Sequence, residues 1–137
     1  MRPPDDPELA SWLDKAGEDL LAVDVLLPHA ARLHAVVCFH CQQAAEKLLK
    51  AVHVALGLRP PRTHDLTLLL EALLLAQPQL KELEESADFL KGFAILPRYP
   101  LPIAPGAEPE GIARSAVEHA RRVERAVHAA IGPTCRE

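Results

Sequence analysis

Arg114 and His119, near the end of the chain, are residue types that could act together on a phosphodiester. A histidine can act as general base toward a ribose 2′-hydroxyl near neutral pH, and an arginine can hold a phosphate and the charge that develops on it. Residues five apart on a helix lie about 140° apart around its axis, so the two side chains diverge within one chain. A dimer can bring Arg114 of one chain to His119 of the other. The sequence therefore leaves open a catalytic pair and a simpler alternative, a surface arginine with a flanking histidine.

A stripe of amide, cationic and aromatic residues follows the outer face of one long predicted helix. At about 100° per residue, this face collects Arg32, Val36, Phe39, His40, Gln43, Glu46, Lys47 and Lys50. Glu46 and Lys50 have the spacing of an ion pair on a solvated face. A solvated face does not require Val36 and Phe39 in its middle, however. Residues of these mixed types also suit a second protein interface or a groove for an anionic ligand.

The opposite face of the same helix carries a histidine and two cysteines. His34, Cys38 and Cys41 lie within about 60° of each other around the helix, and imidazole with thiolate is a zinc-binding combination. A structural zinc site needs a fourth ligand, and Cys135 is far along the chain. Because a free cysteine also packs as a small hydrophobe on a core face, we predict no metal site here.

The sequence contains none of the motifs of common cofactor or nucleotidyl-transfer sites. It has no glycine-rich phosphate loop, no HExxH motif and no Asp-x-Asp pair for two-metal catalysis. We therefore expect no cofactor. If nucleotidyl transfer takes place, another polypeptide must supply its catalytic carboxylates.

The composition fits a single folded domain over residues 1–137. Hydrophobic residues make up 49% of the chain and charged residues 25%, which excludes a disordered chain. The net charge is −4, so binding to nucleic acid or lipid must use a local basic patch. No apolar run reaches the ~18 residues of a membrane span, and no apolar signal region follows Met1. Three cysteines are unlike a secreted disulfide framework, and we expect a cytoplasmic protein with no membrane partner.

Prolines and glycines divide the chain into amphipathic helices. Asp6 and Pro7 mark the start of the first helix, Gly57 marks the end of the second, and Thr63 is expected to cap the third helix. The predicted helices span about 7–27, 29–56, 64–76, 79–94 and 109–131. No segment alternates with period two. The fold class predicted from this pattern is all-α, an antiparallel up-and-down bundle of four long helices plus one short helix.

Three segments, in order along the chain, resemble the elements of a known family. The thirteen residues from Phe39 to Ala51 (Phe-His-Cys-Gln-Gln-Ala-Ala-Glu-Lys-Leu-Leu-Lys-Ala) resemble the signature of the HEPN family, a nucleotide-binding domain of higher eukaryotes and prokaryotes. Thr63-His64-Asp65-Leu66 is similar to the segment that opens the next helix of that family. Arg98-Tyr99-Pro100 is similar to its Arg-Tyr-Pro element before the last helix. The resemblance covers nearly the whole chain.

This resemblance implies a helical bundle that commonly forms homodimers. Small members look like partner subunits of minimal nucleotidyltransferases, often in toxin–antitoxin pairs. Some members are ribonucleases that use an Arg and a His four to six residues apart, and others only bind nucleotides or partner proteins. The expected function is therefore a nucleotide- or RNA-binding homodimer working with a separate nucleotidyltransferase. A ribonuclease toxin using Arg114 and His119, and a dimerisation module without a ligand, are the alternatives.

The residues best suited to hold an anionic ligand are Gln43, Lys47 and Lys50 on the second helix, with Arg98 and Tyr99 from the proline-rich segment before the last helix. The lysines supply point charges, Arg98 a bidentate phosphate contact, Tyr99 a stacking surface and Gln43 hydrogen-bond discrimination. The competing interpretation is that Glu46 already satisfies these cations and that Arg98 anchors its loop. We also expect a twofold dimer that buries part of the stripe around Phe39.

Overall fold

The computed structural model describes residues 1–94 and 108–132, and helices dominate this part of the chain. Its elements are α1 (Pro7–Leu26), α2 (Ala30–Ala55), α3 (Leu66–Glu71), α4 (Glu84–Lys91) and α5 (Pro109–Ile131), with 3-10 segments at Leu27–His29 and Pro78–Leu83. No strand occurs within the described ranges. The all-α prediction is confirmed.

The three long helices begin and end where local signals predict. The Asp6 carboxylate accepts a hydrogen bond from the backbone N–H of Leu9 at 3.2 Å and so caps α1. Gly57 follows α2 with φ +78°, and Gly132 follows α5 with φ +90°. Glycine adopts this left-handed conformation without the steric cost of a Cβ atom. These ends were predictable because cap and stop residues act locally.

The middle of the chain differs from the predicted helices at 64–76 and 79–94. α3 has 6 residues and α4 has 8, against 20, 26 and 23 for α1, α2 and α5. After Glu71 the chain continues in tight turns, in which the N–H of Leu73 bonds to the carbonyl of Leu70. Pro78 then opens a 3-10 segment rather than an α-helix. The described chain thus has three long helices and two short ones, instead of four long and one short.

The cap of α3 also differs from the prediction. The Asp65 carboxylate, and not the Thr63 hydroxyl, accepts hydrogen bonds from the backbone N–H groups of Thr67 and Leu68. Thr63 instead accepts a hydrogen bond from the N–H of Asp65 at 3.1 Å. Two potential capping residues lie two positions apart here, and the helix starts after the second.

α2 is the central element, packed most extensively against α1 and α5. α1 runs antiparallel to α2, because Arg2 donates its backbone N–H to the carbonyl of Ala55 and Asp19 contacts Lys47. The start of α5 lies beside the start of α2, where Ala31 lines a surface hollow together with 108–110. The predicted core face of α2 is buried throughout: Val37, Cys38, Cys41, Ala44, Ala45, Leu48, Leu49, Val52 and Ala55.

The two cysteines of this face behave as core residues. Burial raises the pKa of the Cys38 thiol to about 11 and that of the Cys41 thiol to about 12. Thiols with such values do not become thiolates near neutral pH. Within the described ranges no group of three or more His, Cys, Asp or Glu residues is arranged to hold a metal ion. Cys135, considered above as a distant fourth ligand, lies outside those ranges.

Part of the apolar surface of α1 and α2 is not covered by other residues of the described chain. The expectation that no segment reaches the length of a membrane span is wrong by length and composition alone, because an 18-residue window within the helical stretch Pro7–Ala55 has a mean hydropathy of 1.5. Core helices pass the same test, but only 22% of this window is buried. The side chains of Leu21 and Val25 are each 64% exposed. Uncovered apolar surface of this kind marks a place for interaction with another molecule.

Candidate functional site

Asp19 on α1 joins two polar side chains of α2 into one cluster. Its carboxylate contacts Nδ1 of His40 at 2.9 Å and Nζ of Lys47 at 2.5 Å. Asp19 is buried, whereas the side chains of His40 and Lys47 are 28% and 24% exposed. Charge-assisted hydrogen bonds of this kind offset the cost of burying a carboxylate. The cluster therefore has a buried acid below and an imidazole and an ammonium group at the surface.

Asp19 also sets the orientation of the imidazole ring. Because a carboxylate oxygen accepts hydrogen bonds, the ring donates from its Nδ1–H, and in that neutral tautomer Nε2 is left as a hydrogen-bond acceptor on the other side. No hydrogen bond joins Nε2 to any residue of the described chain. Gln43, on the same face between His40 and Lys47, donates its amide N–H to Oε1 of Gln42 at 2.7 Å and keeps its own amide oxygen for another partner. We refer to Asp19, His40, Gln43 and Lys47 as the α2 surface cluster.

Glu46 forms a second polar cluster, deeper in the fold. One carboxylate oxygen contacts Nδ1 of His64 at 2.8 Å and accepts from Nε2 of Gln42 at 3.2 Å, and the other accepts from Nζ of Lys50 at 3.2 Å. Glu46 and Lys50 are only 5% and 8% exposed. The spacing correctly predicts their ion pair, but the interpretation of this pair as part of a solvated face is wrong.

Two other segments cover the Glu46–Lys50 pair. The ring of Trp12 on α1 lies 5.7 Å from Nζ of Lys50, within range of a cation–π contact. His64, just before α3, contacts Glu46 with its ring and accepts a hydrogen bond from Gln42 with its backbone carbonyl. The long signature segment and the Thr-His-Asp-Leu segment therefore contact each other directly through Glu46.

The structure places three of the five predicted ligand residues. Gln43 and Lys47 belong to the α2 surface cluster, whereas Lys50 is buried against Glu46. Arg98 and Tyr99 lie outside the described residues, so their approach to α2 stays a prediction. Glu46 does hold one lysine, as the competing interpretation requires, but the other lysine is held by Asp19.

Asp19 was missed at the sequence level, although a signal for it exists. It lies among the buried apolar residues Ala16, Leu20 and Val23 of α1, and it is itself buried. An acid beside an apolar stripe needs a partner on the neighbouring helix. The partners here are 21 and 28 residues away along the chain, so no local spacing rule finds them.

The structure does not bring Arg114 and His119 together within one chain. The ring of His119 stacks on Phe89 with centroids 4.6 Å apart, and its Nδ1 lies 2.8 Å from the hydroxyl of Ser86. Arg114 is exposed on the surface of α5. Burial, with a smaller contribution from the charge of Arg122, lowers the pKa of His119. In this chain His119 serves as a packing contact between α5 and α4.

The comparisons with known proteins agree with the all-helical fold. The sequence model of the HEPN domain family matches residues 9–130. The crystal structure of ST0689, described as an archaeal HEPN homologue, has a TM-score of 0.70 and 24% sequence identity, over 96% of this chain and 100% of that chain. The crystal structure of TT1696 from Thermus thermophilus has a TM-score of 0.74 and 26% identity, over 88% and 96%. A comparison with curated proteins finds no significant match.

Proposed function

The chain belongs to the HEPN domain family, and we propose that it is a nucleotide- or RNA-binding module. In this proposal it acts in the cytoplasm as a homodimer, together with a separate minimal nucleotidyltransferase in a toxin–antitoxin-like pair. The observation that supports ligand binding best is the α2 surface cluster, in which buried Asp19 holds His40 and Lys47 at the surface beside Gln43.

The chemistry of this cluster suits a nucleotide. The Lys47 ammonium group can bind a phosphate oxygen, and Nε2 of His40 can accept a hydrogen bond from a ribose hydroxyl. Gln43 can use its amide to discriminate between bases. Asp19 neutralises Lys47 in part, so a phosphate competes with a carboxylate for this lysine. A ligand that also bonds to His40 and Gln43 is therefore favoured over a simple anion.

Arg98 and Tyr99 complete the proposed site. The planar guanidinium group of an arginine binds phosphate through two hydrogen bonds, and a tyrosine ring can stack on a base. Lys50 has a different role in this proposal, because its ammonium group is buried against Glu46 and Trp12. It supports the α2 surface cluster from below instead of contacting the ligand.

The homodimer is proposed on the uncovered apolar surface of the first two helices. Phe39 and Val36 on α2 are only half-buried in the single chain, and Leu21 and Val25 on α1 are largely exposed. Burial of such side chains in a second copy is favourable, at roughly 25 cal/mol per Å² of apolar surface. The nucleotidyltransferase partner is proposed from the family resemblance and from the lack of paired catalytic aspartates in this sequence.

Calorimetric titration with mononucleotides and a short single-stranded RNA tests the ligand proposal. Lys47→Ala and Arg98→Ala should each weaken binding by about 1–3 kcal/mol, the scale of one charge-assisted hydrogen bond. Lys81→Ala is the matched control, since Lys81 is exposed on the Pro78–Leu83 segment and has no place in the site. The proposal is wrong if nothing binds at millimolar concentration, or if folded Lys47→Ala and Arg98→Ala proteins bind as tightly as the control.

A further inference from the structure

A groove lies between α3 and α4, built by helices other than those that form the α2 surface cluster. It has a volume of about 290 Å³ and is lined by Thr67, Leu70, Glu71, Leu74, Glu84, Ala87 and Asp88. Small-molecule sites commonly have about 300–1,000 Å³. A groove at the lower limit of this range suits one or two side chains inserted from a partner surface.

The groove has an apolar floor, and exposed leucines occur in the same stretch of chain. Leu70 and Ala87 are buried at its floor and Leu74 is half-buried, whereas Leu68 is 53% and Leu75 is 99% exposed. Leu68 is on α3 and Leu75 is in the turn after it, both within four residues of Glu71 along the chain. Exposed leucines close in sequence to an apolar groove are surface that a partner can cover.

The rim of the groove is acidic. Glu71, Glu84 and Asp88 are exposed, and among the described residues only Asp88 has a cationic neighbour, Lys91 at 3.3 Å. Five acidic residues but only two basic ones occur between positions 66 and 94. The charge of this surface therefore favours a cationic partner.

We infer that the α3–α4 groove is a docking site for a cationic amphipathic segment of another polypeptide. The segment places an apolar side chain between Leu74 and Ala87 and its lysines or arginines against Glu71, Glu84 and Asp88. A second copy of this chain is disfavoured as the occupant, because its net charge is −4 and the groove is acidic. This inference is independent of the ligand proposed above, since the two sites share no residue.

Three fluorescently labelled helical peptides of equal length test the inference by anisotropy. The first carries leucines at i, i+3 and i+7 with flanking lysines, the second replaces lysine by glutamate, and the third replaces leucine by serine. We expect the first alone to bind, with an affinity that falls as salt is raised.

Two double variants show where the peptide binds. Glu71→Lys with Glu84→Lys should weaken binding about tenfold, since two rim ion pairs are lost and replaced by repulsion. Glu82→Lys with Glu85→Lys makes the same change in net charge at exposed positions that do not line the groove, and should change affinity by less than about twofold. Leu75→Ser, at a fully exposed position, removes an apolar side chain without adding charge and should also weaken binding without affecting folding.

Any of the following outcomes overturns the inference. Equal loss in both double variants shows non-specific charge attraction, and equal binding of the serine peptide shows that the apolar groove is unused. Failure of the first peptide to bind at millimolar concentration also refutes it. If light scattering shows self-association that Glu71→Lys with Glu84→Lys abolishes, the occupant is a second copy of this chain instead.

Discussion

Removal of the Glu46 carboxylate should destabilise the fold far more than removal of an exposed acid. Glu46 accepts from Gln42 and Lys50 and contacts His64, and both Glu46 and Lys50 are buried. In a Glu46→Ala variant, the Lys50 ammonium group stays below the surface and, among the described residues, keeps only its contact with the ring of Trp12. Leaving one member of a buried ion pair without its partner costs about 3–5 kcal/mol.

This magnitude is large in relation to total stability. Domains unfold with a free energy of about 5–15 kcal/mol, so a cost of about 3–5 kcal/mol removes a fifth or more of the stability of a typical domain. For a chain of this size, each kcal/mol corresponds to a Tm change of roughly 3–5 °C. We therefore expect Tm to fall by about 10–25 °C in thermal unfolding followed by circular dichroism.

A second variant separates the buried charge from simple loss of packing. Glu46→Ala with Lys50→Met removes both charges, so it should recover much of the loss, because no buried charge is left without a partner. Glu82→Ala is the control at an exposed acid and should stay within about 0.5 kcal/mol of the parent chain. A loss below about 1 kcal/mol for Glu46→Ala, or no recovery in the double variant, refutes the buried pair.

Four other predictions follow from contacts elsewhere in the molecule. Burial lowers the pKa of His53 and of His119 in the folded protein, so below the unfolded-state pKa of about 6.5 the unfolded chain binds more protons than the folded chain. The free energy of unfolding should therefore be at its full value above about pH 6.5 and should decrease as the pH falls below it. In urea unfolding, His53→Gln and His119→Gln should flatten this dependence, and an unchanged slope refutes the assignment. The pKa values of Cys38 and Cys41, raised to about 11 and 12, and their burial predict negligible alkylation of these two residues by iodoacetamide at pH 8 unless urea unfolds the chain; peptide mass mapping distinguishes them from Cys135, and rapid alkylation of Cys38 or Cys41 in the folded protein contradicts their burial. Light scattering should give twice the 15.0 kDa chain mass at tens of micromolar, and Phe39→Glu should lower it toward one chain; a single-chain mass for the unmodified protein refutes the dimer. Since the His119 ring stacks on Phe89 and its Nδ1 contacts Ser86, we expect this histidine to be held as a packing residue and purified protein not to cleave RNA in the presence of a chelator; cleavage that His119→Ala abolishes favours the ribonuclease alternative.

The long helices were predictable because their signals are local. Asp6 with Pro7, and the glycines at 57 and 132, act on the residues next to them. The short middle helices were not predictable. The leucine-rich pattern continues past Glu71, but the chain there forms tight turns, and Pro78 then opens a 3-10 segment. Leucine spacing alone does not distinguish an α-helix from a series of turns that buries the same side chains.

The candidate site was predictable only in its residue types. The spacing of Glu46 and Lys50 predicted an ion pair, but Trp12 and His64 decide that the pair is buried. Asp19 holds Lys47 from a different helix. Contacts between residues distant in sequence therefore determine which lysine remains near the surface, and helix periodicity carries no information about such contacts.

Nitrogen and amide chemical shifts of the α2 surface cluster provide the most direct test of the central claim. In a titration with a mononucleotide and a short RNA, we expect Nε2 of His40 and the side-chain signals of Gln43 and Lys47 to shift together and to saturate. Nδ1 of His40 should shift less, because Asp19 already holds it. Absence of any shift at millimolar ligand, or shifts confined to residues around Arg114 and His119, would contradict a nucleotide- or RNA-binding site on this face of α2.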